Sequence, residues 1–107
     1  MKADESKKTE EQDLIHQGLK LFGDAWNLSI VRVLSETTHR FNELQRSLDN
    51  ISPTTLTDRL KKLESYGIIA QEKQTVDQLS VIYSLTQKGK KMLPVLEAIE
   101  SFSKKFL

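Results

Sequence analysis

Hydrophobic positions repeat at helical spacing through most of this chain and switch to alternation over one short stretch. Leu14, Ile15, Leu19 and Phe22 predict a first helix from about Glu10 to Leu21. Gly23 ends it, and Asp24 can cap the next. The second helix places Trp26, Ile30, Val33 and Leu34 on one face, with Leu28 and Val31 beside them, and closes at Ser35-Glu36-Thr37-Thr38. A short third helix, Phe41 to Leu48, turns Phe41, Leu44 and Leu48 inward, and Asp49-Asn50-Ile51 makes a turn.

The segment after that turn is the most sharply defined. Ser52 can accept from the first backbone N–H groups of a helix, and Pro53 fits the first helical position, where no N–H is needed. Gly67 supplies a left-handed stop. At about 100° per residue, Leu56, Leu60 and Leu63 share one face. Thr54, Asp58, Lys61 and Ser65 lie opposite, with Thr55, Thr57 and Lys62 on the flanks.

Beyond Gly67 the period changes. Ile68 to Gln74 reads as a strand, and Ser80 to Leu85 alternates, with Val81, Tyr83 and Leu85 on one side. Thr75 to Leu79 is then the hairpin tip, though without an Asn-Gly signal. Thr86 caps a final helix lined by Met92, Leu93, Val95, Leu96, Ile99, Phe102, Phe106 and Leu107, which Pro94 kinks or restarts. A tight helix–turn–helix followed at once by a hairpin is a winged helix–turn–helix, mainly α with a small β-hairpin. In that fold the helix from Ser52 to Tyr66 enters the major groove of double-stranded DNA. The plain alternative is an amphipathic surface helix whose outer side meets only water.

Length and composition narrow the setting. A chain of 107 residues, 37% hydrophobic, is read as one domain over 10–107 behind a flexible polar N-terminus, 1–9. No run approaches a membrane span and no signal-peptide pattern opens the chain, so the cytoplasm is the expected compartment. With no cysteine, disulfides, thiol sensing and thiolate metal sites are excluded. A net charge of +1 gives no globally basic surface, so a DNA-binding face has to come from geometry and from pairing two subunits.

Several blocks carry a family resemblance: Gly23-Asp24-Ala25-Trp26; Arg40-Phe41-Asn42-Glu43-Leu44; Ile51-Ser52-Pro53-Thr54-Thr55-Leu56-Thr57-Asp58-Arg59-Leu60-Lys61-Lys62-Leu63-Glu64; Tyr83-Ser84-Leu85-Thr86-Gln87-Lys88-Gly89; and Leu93-Pro94-Val95-Leu96. In order and spacing, from about Leu21 to Phe102, they resemble the HxlR-type winged helix–turn–helix transcription regulators. The resemblance implies a bacterial-type DNA-binding regulator that works as a homodimer, without enzymatic activity and without a cofactor. The chain departs from the family pattern in three places. It lacks the cysteine that many members carry before the tryptophan helix. Ala25 replaces the usual basic residue before the tryptophan, and Ser80 replaces the usual wing arginine.

The residues expected to meet DNA are Ser52, Pro53, Thr54, Thr55, Thr57, Asp58 and Lys61, at the start or on the outer face of the recognition helix, with Lys62 as a phosphate contact. Arg59 lies near the leucine stripe and is weighed equally between an ion pair, with Glu43 as partner, and a phosphate contact. Arg40 is placed to grip a phosphate where the third helix begins, against the plainer reading of a surface arginine. Lys73 is the basic residue near the wing tip. Trp26 is expected in the core, with a small-molecule effector pocket beside it as the lesser reading. His16 and His39 have no metal or catalytic company. The terminal helices, 10–22 and 86–107, carry more apolar surface than a small monomer hides and are expected to pair with a second copy. The rival functional class is a winged-helix protein-interaction module that has lost DNA binding.

Overall fold

The computed structural model describes residues 13–73 and 81–107. Helix α1 covers residues 13–22. It is followed by α2 (Ala25–Glu36), α3 (Phe41–Ser47), α4 (Pro53–Ser65), α5 (Gln87–Lys90) and α6 (Leu93–Phe106). Strands β1 (His39–Arg40), β2 (Ile69–Lys73) and β3 (Val81–Leu85) form an antiparallel sheet in the order β1-β3-β2. This is a winged helix–turn–helix. The expected N-terminal stretch 1–9, the helix start at Glu10, the hairpin tip Thr75–Leu79 and Ser80 lie outside the described residues.

The core is built where helical stripes meet. On α4 the buried residues are Leu56, Leu60 and Leu63, the stripe the spacing requires. On α2 they are Ile30, Val31 and Leu34, as expected, together with Asn27, which takes the place expected of Trp26. Trp26 is not a core residue; it is 37% exposed. Asn27, the next residue, is fully buried instead. Its Nδ2 donates to the Leu21 carbonyl at 3.2 Å, closing the end of α1, so its burial is partly compensated.

The wing is a hairpin with a third, short strand. β2 and β3 pair from Ile69↔Leu85 to Lys73↔Val81. β1 adds His39↔Tyr83 and Arg40↔Ile82, a pairing that no hydrophobic period along the chain announces. All five residues of β3 are half-buried, so alternation gives the strand but not two distinct faces. Thr86 caps α5 by accepting from the Gly89 N–H at 3.0 Å, and its hydroxyl donates to the Ile68 carbonyl at 3.0 Å. Gly89 is required by this approach, because a Cβ there would lie 2.2 Å from the Ile68 oxygen. Pro94 stands in the first turn of α6, so the final helix restarts rather than kinks.

Candidate nucleic-acid interface

The geometry of α4 begins in the turn before it. Asp49 and Asn50 both adopt left-handed backbone, φ 53° and 58°, which Asp and Asn tolerate better than most residues. The Asn50 N–H donates to the Gln45 carbonyl at 2.8 Å, and Gln45 Nε2 donates to the Ile51 carbonyl at 3.2 Å. These bonds tie the turn to α3. Ser52 Oγ then accepts from the Thr55 N–H at 3.1 Å and donates to the Thr55 hydroxyl at 2.9 Å. Gly67, at φ 73°, stops the helix. The start and the stop are those the sequence predicts.

The outer face is equally legible. Ser52, Pro53, Thr54, Asp58 and Lys61 are exposed; Thr55 and Thr57 are half-buried. Arg59 and Lys62 are directed away from this face. Arg59 Nε donates to Asp24 Oδ2 at 2.8 Å, with both side chains about a quarter to a third exposed at 30% and 25%. Its ion-pair partner is therefore Asp24 and not Glu43. Glu43 is engaged elsewhere: its Oε1 accepts from the Arg40 N–H at 2.9 Å and closes the start of α3. Lys62 Nζ donates to the Lys20 carbonyl at 2.9 Å, at the C-terminal end of α1, where a cation suits the helix dipole.

Arg40 sits in β1, beside Ile82 of the wing, and is exposed. With Phe41, Asn42, Glu43, Arg46, Val81 and Tyr83 it lines an open recess between α3 and the wing. Arg46 thus joins Arg40 beside the hairpin, a placement that helical spacing alone does not reveal. The backbone of Lys73 pairs with Val81 at the far end of the described hairpin. Tyr83 has its phenol pKa raised above 10.0 by burial, and the nearby Glu64 carboxylate adds to the effect.

On the opposite side, a cleft of about 420 Å³ lies between α2, α6 and the end of α3; its lining includes Trp26, Val33, Leu48 and Ile99. The Arg32–Glu100 ion pair, 3.2 Å, crosses its edge. Trp26 thus lines a cleft rather than the core. The His39 ring makes a local bond, Nδ1 to the Thr37 carbonyl at 2.9 Å. Among the described residues no helix is long and apolar enough to cross a membrane.

Sequence and structure comparisons agree on what this arrangement is. The profile of the HxlR-like helix-turn-helix family matches residues 21–107. The chain belongs to the HxlR-like family. It is 30% identical over 92 residues to the HTH-type transcriptional regulator YodB of Bacillus subtilis, covering 86% of this chain and 82% of YodB. An uncharacterised HTH-type transcriptional regulator of Halalkalibacterium halodurans is 37% identical over 82 residues, 76% of this chain and 73% of that one. The reduced form of YodB superposes with a TM-score of 0.77, covering 85% of this chain and 89% of that one at 31% identity. A MarR-family regulator structure from Porphyromonas gingivalis W83 gives a TM-score of 0.78, covering 87% and 91% at 31% identity. These HxlR-like and winged-helix relatives are transcriptional regulators and not enzymes. YodB has been solved reduced, diamide-treated and quinone-bound. The present family member has no cysteine.

Proposed function

We propose that this HxlR-like DNA-binding regulator acts as a homodimer that reads double-stranded DNA with α4 in the major groove. The observation that carries the reading is the outer face of α4: Thr54, Asp58 and Lys61 stand exposed on a helix whose start and angle are fixed by a tight, hydrogen-bonded turn. Such a helix presents Thr54 and Asp58 to base edges, with Lys61 beside them as a phosphate contact. Ser52, Pro53 and Thr55 set its start. Arg40 and Arg46 serve as phosphate contacts on the wing side, and the wing formed by β2 and β3 approaches the backbone or the minor groove.

The dimer is supported by unpartnered apolar surface. Leu14, Ile15 and Leu19 of α1 are 57–67% exposed, and Phe102 and Phe106 of α6 are 58% and 71% exposed. Those two rings stack on each other, with centroids 5.2 Å apart, rather than on the core. A second copy that covered both helices would place two α4 helices about 34 Å apart on a pseudo-palindromic site. The cytoplasm is the compartment in which such a regulator meets its operator.

Binding selection from random duplex DNA, followed by sequencing, tests the proposal together with sedimentation at micromolar concentration. The expected result is a dimer mass and an enriched inverted repeat. A monomer, or no enriched sequence, would overturn it in favour of a protein-interaction module.

A further inference from the structure

We infer that Asp24, Arg59 and Lys62 form the joint that sets the spacing between the two DNA half-sites; the inference rests on the homodimer reading above. Asp24 lies where three helices meet. Its Oδ1 accepts from the Trp26 and Asn27 N–H groups, at 2.9 and 3.2 Å, and so caps α2. Its Oδ2 is left for Arg59 of α4, at 2.8 Å. One carboxylate thus fixes the start of α2 and the roll of the recognition helix together.

The same junction holds the end of α1. The Gly23 N–H donates to the Leu19 carbonyl at 2.7 Å, Asn27 Nδ2 binds the Leu21 carbonyl, and Lys62 of α4 binds the Lys20 carbonyl at 2.9 Å. The last carbonyls of a helix have no partner within it. Here side chains from α2 and α4 supply the partners, so the direction in which α1 leaves the domain is tied to α4. The leucine stripe of α4 does not do this: apolar burial is non-directional, whereas these polar contacts fix an angle.

The consequence appears only in a dimer. α1 projects Leu14, Ile15 and Leu19 outward, and in the homodimer these residues meet the second copy. The angle between α1 and α4 then determines how far apart the two recognition helices sit. Asp24, Arg59 and Lys62 are positioning residues in this scheme and touch no base.

The test uses the full chain and the operator obtained by selection, together with duplexes whose half-sites are moved by one base pair in each direction. Asp24→Asn keeps an oxygen for the α2 cap and removes the charge that faces Arg59. Arg59→Gln removes the other partner and leaves every cap intact, so it carries the test if Asp24→Asn fails to fold. Both variants should sediment as dimers and keep the wild-type preference for the half-site bases. Their discrimination between native and shifted spacing should fall by about fivefold, the lower end of coupling between linked sites. Arg59→Lys, which retains the charge, should recover part of that loss. If the variants weaken binding to all spacings equally, or leave the spacing preference intact, the contacts are merely structural and the inference is overturned. A monomeric wild type, or one that selects no operator, overturns the homodimer reading itself, and this inference with it.

Discussion

Removal of Thr54 and Asp58 should separate specificity from affinity. Both are exposed, both lie near the start of α4, and neither belongs to the Leu56, Leu60 and Leu63 stripe. Thr55 is unsuited to the same test, because its hydroxyl accepts from the Ser52 cap. The double change Thr54→Ala, Asp58→Ala should leave thermal stability unchanged within about 0.5 kcal/mol, as for most surface sites. It should remove about 1–3 kcal/mol of discrimination per lost base contact. Non-specific binding should survive or improve, since Asp58 no longer repels phosphate. Affinity for the operator and for a scrambled duplex at one salt concentration measures the ratio. Tyr83 gives a second expectation at this scale. Its pKa is raised in the fold, so the folded state holds the phenol proton more tightly than the unfolded chain does. The stability that Tyr83 contributes should therefore be fully present below about pH 10, the ordinary tyrosine value, and be lost above it as the unfolded state ionises first. Tyr83→Phe should make the alkaline decline shallower, as read by denaturant titration from pH 8 to pH 11.

The elements differ in how much of themselves they announce. α4 is legible because a cap, a proline, a leucine stripe and a terminal glycine all agree, and each acts over only a few residues. β1 is not: a strand of two residues has no period, and it exists only because His39 and Arg40 find Tyr83 and Ile82 far along the chain. The first turn of α2 is hidden for a related reason, although Ile30, Val31 and Leu34 are buried as their spacing predicts. Trp26 draws the apolar stripe toward itself, while the true stripe begins at Asn27, whose burial depends on a carbonyl of α1. Arg59 shows the same limit for charge. Its nearness to the core side of α4 is readable from spacing, but spacing along one helix does not choose among carboxylates on other elements, and only the packing of α2 against α4 selects Asp24. α6 is legible in composition, with too many apolar residues for its own core, and the structure leaves its outer half bare. Changing Phe102 and Phe106 together to Glu should therefore shift the protein to a monomer in sedimentation while its circular dichroism stays helical. An unchanged dimer mass would show that this end of α6 is not the contact.

At the scale of the whole molecule, charge decides how DNA is held and sulfur decides what does not control it. The only sulfur atoms are those of Met1 and Met92, and Met92 is 4% exposed. Diamide, applied to the protein alone, should leave DNA affinity unchanged; a thiol-reversible loss would mean that a separate protein carries a sensor. Salt dependence tests the proposed contacts more directly. The net charge of +1 gives no long-range pull toward DNA, so affinity for phosphate has to come from a few placed cations. Arg40 and Arg46 flank the wing, and Lys61 stands on the exposed face of α4. If each subunit of a dimer uses these three, about six phosphates are neutralised, and log K should fall against log salt with a slope of about −5. Lys61→Ala removes a cation from each subunit and should make the slope shallower by about 2, with an equal loss of affinity for specific and scrambled duplexes. Lys62→Ala should behave differently. Its ammonium is bound to the Lys20 carbonyl, so its loss should relax half-site spacing and leave the slope nearly unchanged. Titrations at several salt concentrations with both variants distinguish the two roles. If Lys62→Ala flattens the slope as much as Lys61→Ala, the lysine leaves α1 to meet phosphate when DNA binds.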